Sequence, residues 1–204
     1  MIDATDTLLA ERGVEGFSLR EVARRSGVSP GAPAHHFGDA QGLLEAVCIV
    51  AFDGLTAALE EGNARGGSDP VARLREQGVG YVSFALRHPG RFGLMFRSRA
   101  AHGPELARSS QAAFAVLENG VRDLYALPRG ATLDATQWHA LVGIWSVVHG
   151  YAHLALNGKF APGRGTGGKP AGVCDVVRPV LQQHLDGLMA LRRSQSRAAA
   201  RPRR

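Results

Sequence analysis

The sequence has few of the residues that would build a disulfide-stabilised or membrane-spanning protein. Only two cysteines, Cys48 and Cys174, occur among 204 residues, and no CxxC pair is present. They predict two ordinary thiols and no disulfide framework. No run of about 18 uninterrupted apolar residues occurs, which argues against a membrane span. The first residues, MIDATDTLLAERG, carry acids where a secretion signal needs bases, so we expect a cytoplasmic protein without a membrane partner.

Net positive charge is missing from most of the chain. The formal net charge is +6, but residues 192–204 contain six arginines and no acid. Residues 1–191 therefore carry no net charge. The Arg-rich segment 192–204 is predicted to be a disordered tail, which either attracts nucleic acid non-specifically or only keeps the chain soluble. The basic pI is thus no argument that the rest of the chain binds nucleic acid.

The sequence also lacks the alternation of apolar and polar residues that is typical of β-strands. Its apolar residues instead recur with the spacing of α-helices. We predict helices over residues 2–12, 18–25, 29–36, 39–62, 70–87, 104–126, 134–157 and 174–192. N-caps are predicted at Ser18, Ser29, Asp39, Asp69 and Asp134, and Ser18 with Glu21 predicts a capping box. The segment RHPGRFG is predicted to be a corner, and NGKFAPGRGTGGKPAG a loop. The fold class is therefore all-α.

Three short helices open the chain with the spacing of a helix-turn-helix. The second helix, a turn of about four residues around Gly27, and a third helix starting at Ser29 and Pro30 follow in that order. In such units the last helix enters the major groove with its first turn against base edges. Ser18 and Ser29 lie at helix N-termini, which favour phosphate; the alternative is that both serines are only caps. The bare first turn, with Gly31, Ala32 and Ala34, favours close backbone approach and contacts with thymine methyl groups.

The segment GFSLREVARRSGVSPGAPAHHFGDAQGLLEAV, residues 16–47, closely resembles the DNA-binding unit of TetR-family transcriptional regulators. The resemblance implies that residues 29–36 form the recognition helix. It also implies a homodimer on a pseudo-palindromic double-stranded DNA operator, released by a small-molecule effector and needing no cofactor. The implied core consists of Phe17, Leu19, Val22, Ala23, Val28, Phe37 and Leu43. The implied DNA-binding residues are Ser18, Arg20, Ser29, Pro30, Gly31, Ala32, Ala34, His35 and His36.

Two positions and the charge of this unit depart from the family pattern. Where the family usually has an aromatic residue and a lysine that reach phosphates, this chain has Ala34 and Ala40. Residues 1–47 carry four basic and seven acidic residues, and an acidic unit repels the phosphate backbone. His35 is either a compensating DNA contact or a solvated surface residue. These features favour an alternative function, an all-helical ligand-binding or interaction protein with weak or lost DNA binding.

The remainder, residues 48–191, is predicted to be a helical effector-binding and dimerisation domain. Trp145, His149 and Gly150 resemble the Trp-His-Gly signature of a TetR subgroup, and HPGRFGLMF resembles the corner that accompanies it. Three roles are open for His149: a hydrogen-bonded core histidine, an effector contact, or a metal ligand together with His153. The lack of a carboxylate on the same turn disfavours the metal site.

Apolar faces of this domain supply the candidate effector and dimer contacts. Effector contacts are predicted at Phe92, Met95, Phe96, Phe114, Trp138, Trp145 and His149. Their scarcity of charge favours a neutral, hydrophobic effector, and the alternative is that they are core. The resemblance to the TetR family implies that the last two long helices pair with their copies in a four-helix bundle. The apolar spacing of α-helical residues 174–192 predicts the contacts at Val177, Leu181, Leu185 and Leu188. The alternative is that these four residues are buried within one subunit.

Enzymatic motifs are absent from the sequence. It has no Ser/His/Asp order, no paired carboxylates and no P-loop, and the glycines of GRGTGG follow no predicted strand. Catalytic and metal-binding residues are therefore not expected. We expect a ligand-responsive DNA-binding transcriptional regulator that acts as a repressor.

Overall fold

Helix boundaries largely follow the capping residues that the sequence provides. The computed structural model describes residues 1–97, 103–159 and 172–199. Every regular element in these ranges is helical, which confirms the all-α fold class. The elements are α1 (Ile2–Arg12), a 3₁₀ turn (Val14–Gly16), α2 (Leu19–Ser26), α3 (Ala32–Phe37), α4 (Ala40–Arg65), α5 (Pro70–Arg87), α6 (Pro89–Met95), α7 (Pro104–Leu124), α8 (Ala135–Leu156) and α9 (Val173–Ala199).

Side chains cap four of these helices as the sequence predicts. Backbone N–H groups of the first turn donate to Ser18, Asp39, Asp69 and Asp134. Asp134 and Gln137 form a reciprocal capping box, with both hydrogen bonds at 2.9 Å. The box predicted at Ser18 is half formed, because the Glu21 carboxylate binds arginines instead. Such caps satisfy N–H groups that would otherwise lack a partner.

The third helix starts later than the sequence predicts. α3 begins at Ala32 with Gly31 as its N-cap, and no side chain caps it. Ser29 and Pro30 lie in the preceding turn, where the Ser29 carbonyl accepts from the Ala32 N–H at 3.0 Å. The prediction that Ser29 caps the helix and Pro30 starts it is therefore wrong. Pro33 is the second residue of α3, where its missing N–H is still one of the unpaired groups of the first turn.

Two further segments are more helical than predicted. The RHPGRFG segment, predicted to be a corner, contributes the first turn of α6. α9 keeps Pro179 inside it and continues to Ala199, although a disordered tail is predicted from residue 192. Alanine and arginine are strong helix formers, which explains the extension. Residues 200–204 of the predicted tail and residues 160–171 of the predicted loop lie outside the described residues.

The chain packs into two units. Among the described residues, those of 1–58 and 83–116 form unit 1, and those of 59–82 and 117–199 form unit 2. The buried core of unit 1 consists of Leu8, Leu9, Val22, Leu43, Val47, Cys48, Leu94 and Leu106. Phe17, Leu19 and Phe37 pack against it, as the resemblance implies. Val28 departs from that expectation, because it lies in the turn after Gly27 and is 39% exposed.

The core of unit 2 lies where α5, α8 and α9 meet. Gly78 permits this close approach, because a Cβ at residue 78 would lie 2.9 Å from Cγ1 of Val148 and would overlap Leu181. Beside it, Arg178 donates to both oxygens of the nearly buried Glu76, at 3.0 and 3.2 Å. The hydrogen bond from Arg178 is the main cause of a lowered pKa at Glu76. α5 and α9 are thus joined by packing and by a charge-assisted hydrogen-bond pair.

The apolar stripe of α9 faces inward. Val177, Leu181 and Leu185 are fully buried within the single chain, and Leu188 is half-buried. Fully buried side chains have no surface to offer to a second copy. The prediction of dimer contacts at Val177, Leu181 and Leu185 is therefore wrong, and burial within one subunit is the correct interpretation.

Among the described helices, α4 alone is long and apolar enough to cross a membrane by length and composition, with a mean hydropathy of 1.8. Core helices of soluble proteins pass the same test, and α4 buries Leu43, Val47, Ala51 and Leu55. Its apolar character is therefore accounted for by packing.

Candidate nucleic-acid interface

A tight turn fixes the angle between α2 and α3. Gly27 adopts the left-handed backbone conformation, with φ 66° and ψ 26°. Its N–H binds the Arg24 carbonyl at 3.3 Å, and the Val28 N–H binds the Ala23 carbonyl at 3.1 Å. Any side chain at this φ costs about 1–2 kcal/mol, so glycine suits the turn. α3 thereby follows α2 in the arrangement of a helix-turn-helix.

The predicted DNA-binding residues lie on the solvent side of this pair. The exposed ones are Ser18, Arg20, Ser29, Pro30, Gly31, Ala34, His35 and His36, and Ala32 is half-buried. The rings of His35 and His36 meet edge to face, with centroids 5.4 Å apart. The Ser18 oxygen caps α2, and its O–H can still donate to a phosphate. The exposed face thus combines a nearly bare helix start with two adjacent imidazoles.

Residues on the hidden side hold α3 in place. Pro33 is buried, and Phe37 packs against the core of unit 1. Gly42, in the first turn of α4, lies so close to Phe37 that a Cβ there would overlap its carbonyl oxygen and lie 3.2 Å from its carbonyl carbon. The end of the recognition helix and the start of α4 are therefore locked by a backbone contact that only glycine allows.

Carboxylates hold the arginines at the end of α2. Glu21 accepts from Nε of Arg24 at 2.8 Å and from Nε of Arg25 at 2.9 Å, and Arg25 also donates to Glu11 of α1 at 2.6 Å. The hydrogen bonds from Arg24 and Arg25 lower the pKa of Glu21 to about 2. Arg20 is exposed and forms no ion pair with another residue of the described ranges. It is therefore the α2 arginine best placed to turn toward a phosphate.

In unit 2 the Trp-His-Gly segment contacts a buried tyrosine through His149. The Tyr81 hydroxyl lies 2.8 Å from Nδ1 of His149, and burial raises the pKa of Tyr81. The rings of Trp145 and His153 approach His149 with centroid distances of 6.3 and 4.5 Å. Burial, followed by the charge of His153, lowers the pKa of His149. His149 is thus a hydrogen-bonded, neutral histidine near pH 7, and its partner Tyr81, 68 positions away, had no signal in the sequence.

The residues predicted to contact an effector fall into both units. Phe92, Met95, Phe96 and Phe114 belong to unit 1, whereas Trp138, Trp145 and His149 belong to unit 2. Phe92 and Met95 are buried, and the rings of Phe92 and Phe96 lie 5.2 Å apart, as in core packing. Within residues 1–97, 103–159 and 172–199, no three His, Cys, Asp or Glu side chains converge as metal ligands.

The exposed α2–turn–α3 pair defines a helix-turn-helix DNA-binding protein. The family model described as bacterial regulatory proteins of the tetR family matches residues 1–47, and the tetracyclin repressor-like C-terminal domain matches residues 74–169. The HTH-type transcriptional regulator BetI of Burkholderia mallei is 32% identical over 151 residues, which are 71% of this chain and 77% of that one. The chain therefore belongs to the TetR family. It is a ligand-responsive DNA-binding transcriptional regulator and not an enzyme, as the sequence predicts.

Solved structures share this fold. A protein of unknown function from Rhodococcus sp. RHA1 has a TM-score of 0.73 and 30% identity, with 91% of this chain and 92% of that chain covered. The TetR-family regulator PfmR of Thermus thermophilus has a TM-score of 0.65 and 21% identity, with 90% and 92% covered. At that identity PfmR supports the fold alone.

Proposed function

We propose that the chain is a cytoplasmic, homodimeric repressor that binds a pseudo-palindromic operator through α2 and α3 and releases it when a small apolar effector binds. The observation that carries the proposal is the exposed recognition helix, held by Pro33, Phe37 and Gly42 on its hidden side. We further propose membership of the Trp-His-Gly subgroup, on the strength of Trp145, His149 and Gly150.

DNA contacts are proposed at the exposed residues of the α2–α3 pair. Ser18, at the N-terminus of α2, donates to phosphate, and Arg20 reaches phosphate close by on the same helix. Gly31, Ala32 and Ala34 let the backbone approach the groove, and His35 and His36 supply the side chains that read base edges or phosphate. Phosphate contacts set the register on the duplex, whereas base contacts select the sequence.

Ala34 and Ala40 are both exposed and short, which supports weaker DNA binding than a family member with the usual aromatic residue and lysine. A helical ligand-binding protein with lost DNA binding is therefore the competing proposal. Glu11 and Glu21 are ion-paired with Arg25 and Arg24, and these pairs leave the net charge of residues 1–47 unchanged.

The dimer surface is proposed on the outward faces of α8 and α9. α8 contains no Asp, Glu, Lys or Arg, yet Trp138, Val142 and Leu154 of this helix are 46%, 39% and 48% exposed. On α9, Val180 and Leu191 are exposed at the flank of the buried stripe. The two helices meet where Gly143 lies against His184. The uncharged outer face of α8, together with the neighbouring exposed apolar residues of α9, is the surface that a second copy would cover.

The effector is proposed to bind in unit 2 beside Trp145 and the Tyr81–His149 pair. Aromatic walls favour an apolar ligand, and a hydroxyl–imidazole pair adds one polar anchor. Trp138, which is exposed in the single chain, belongs to the proposed dimer face in this arrangement.

Fluorescence anisotropy with labelled DNA from the regions flanking the gene tests this function. The wild-type chain should bind one fragment, with affinity falling by about a thousandfold between 50 and 200 mM salt. Arg20→Gln should weaken binding, whereas Arg108→Gln, which removes the same charge from α7, should not. A wild-type chain that binds no fragment at low salt would favour the competing ligand-binding protein.

A further inference from the structure

We propose that Arg91 of α6 is a positioning residue for DNA binding, which acts through Asp6 and Asp3 of α1 and makes α6 part of the DNA-binding unit. The inference rests on the proposed DNA-binding function. Arg91 cannot act by touching DNA itself, because its side chain is only 11% exposed and is turned into α1.

Asp6 is the centre of the contact between α1 and α6. One carboxylate oxygen of Asp6, Oδ1, accepts from the backbone N–H of Arg91 at 2.9 Å. The other, Oδ2, lies 3.2 Å from Nε of Arg91, as an ion pair without hydrogen-bond geometry, and 3.4 Å from Nδ1 of His88. The guanidinium of Arg91 also donates to Asp3, one turn earlier on α1. One arginine thus ties two successive turns of α1 to the start of α6.

The two helices approach so closely that only glycine fits between them. A Cβ at residue 90 would lie 2.8 Å from Oδ1 of Asp6 and 2.9 Å from the Ala10 backbone nitrogen, and would overlap the Asp6 carbonyl. Because two of these neighbours are backbone atoms, no side-chain rotation can relieve the overlap. The relative position of α1 and α6 is therefore defined by rigid backbone, and the ion pair is set within it.

The contact extends along the whole of α6. Leu94, in its last turn, is buried in the core cluster with Leu8 and Leu9 of α1. Just beyond the helix, Arg97 donates to Glu15 of the 3₁₀ turn at 2.6 Å. The start, middle and end of α6 thus each engage the first 15 residues.

These contacts explain the excess of acid in residues 1–47. Asp3 and Asp6 pair with Arg91, and Glu15 pairs with Arg97, both outside the segment that the DNA-binding family model matches. When residues 48–58 and 83–116 are included, unit 1 has nine basic and nine acidic residues. Unit 1 as a whole is therefore neutral, and Arg91 of α6 and Arg97 just beyond it supply two of the balancing charges, which reduces its repulsion of phosphate.

A second ion pair carries the position of α1 to α2. Arg25 of α2 is held between Glu11 of α1 and Glu21 of its own helix. Leu8 and Leu9 of α1 share the core cluster with Val22 of α2. A change in where Arg91 holds α1 therefore changes where α2 presents Ser18 and Arg20.

The test measures operator affinity and its salt dependence for Arg91→Gln and Arg91→Lys. The probe is a duplex selected from random DNA by the wild-type chain, and titration at high concentration gives the fraction of active protein. We expect Arg91→Gln to raise Kd about tenfold at an unchanged active fraction, and Arg91→Lys to recover most of that loss. The slope of log affinity against log salt should stay at the wild-type value.

Arg20→Gln is the matched variant for a direct phosphate contact, and it should lower that slope by about 0.9. The proposal is overturned if Arg91→Gln binds like wild type, if it lowers the slope as Arg20→Gln does, or if only its active fraction falls. If Arg91→Gln does not fold, the variant Asp3→Asn replaces it in the test. Asp3 is almost fully exposed, so its substitution should leave the fold intact while it removes one of the two carboxylates that Arg91 contacts. An unchanged Kd for Asp3→Asn refutes the proposal. A wild-type chain that selects no duplex refutes the proposed DNA-binding function instead.

Discussion

At the scale of single residues, two histidines of unit 2 couple stability to pH. Burial lowers the pKa of His149, with a further contribution from His153, and burial alone lowers the pKa of His184. Nε2 of His184 is buried without a hydrogen-bond partner in the described structure, so its protonation would add an unpaired charge. Below the ordinary histidine pKa of 6.5 the unfolded chain takes up protons that the folded chain resists.

We therefore expect the free energy of unfolding to fall as the pH drops below about 6.5, and to fall less in His149→Gln and His184→Gln. Urea unfolding at about pH 7.5 and pH 5.5 measures this for each variant against wild type. The exposed His139 provides the control, as His139→Gln should keep the wild-type difference. Equal pH dependence in all four chains would contradict the prediction.

The two cysteines should differ in reactivity. Cys48 lies in the core of unit 1, and burial, followed by the charge of Glu45, raises the pKa of its thiol to about 11. Cys174 is half-buried on α9. Because the thiolate is the reactive form, iodoacetamide at about pH 8 should label Cys174 in the native chain and Cys48 only after unfolding. Mass spectrometry of the labelled peptides checks this, and fast labelling of Cys48 would show that the unit 1 core opens.

At the scale of elements, α8 is more apolar than its packing within one chain requires. Its inner face fills the core of unit 2, and its outer face carries apolar residues and no formal charge. We expect Val142→Glu to raise the dimer dissociation constant at least about tenfold, because the carboxylate would be buried without a partner. Analytical ultracentrifugation measures it.

Gln111→Glu, on an exposed face of α7, introduces the same charge and should leave the dissociation constant unchanged. Circular dichroism should show both variants folded, since both positions are exposed in the single chain. A Val142→Glu chain that dimerises like wild type would exclude this face as the interface.

Elements were predictable from the sequence where their signals are local. The caps at Ser18, Asp39, Asp69 and Asp134 act over three residues, so the starts of their helices follow from the sequence. Ser29 and Pro30 suit both a helix start and the turn before it, and only the position of Gly31 and Pro33 against the core distinguishes the two.

Contacts between distant residues were not predictable in this way. The apolar spacing of Leu181 and Leu185 is the same for burial within a subunit and between subunits, so the pattern alone leaves both open. Tyr81 with His149, and Asp6 with Arg91, join residues 68 and 85 positions apart, and neither pair carries a periodic signal. The DNA-binding face is local and could be predicted, whereas its support from α6 could not.

At the scale of the whole molecule, the positive charge lies at the C-terminal end. Arg192 is tied into unit 2, since it donates to the Leu124 carbonyl at 2.6 Å and lies over the Tyr125 ring. A chain that stops after Ala199 lacks Arg201, Arg203 and Arg204, half of the net charge of +6. We expect it to bind non-operator DNA more weakly, with a salt slope smaller by about 0.9 for each phosphate that these arginines neutralise in the full chain.

Its affinity for the selected operator should change less, so that the ratio of specific to non-specific binding rises. Anisotropy with an operator duplex and a scrambled duplex of equal length measures both. If the shortened chain binds the scrambled duplex as tightly as the full chain does, residues 200–204 do not attract DNA, and the alternative that they keep the chain soluble is favoured.

The pairing of α1 with α6 has a practical consequence for exchanging recognition specificity among regulators. A chimera that takes residues 1–47 of this chain would carry Asp3, Asp6 and Glu15 without the arginines that neutralise them. The transferable module is discontinuous in sequence, since it consists of residues 1–58 and 83–116. A chimera that transfers this module intact therefore needs three crossovers, after residues 58, 82 and 116, whereas a transfer of residues 1–47 needs only one.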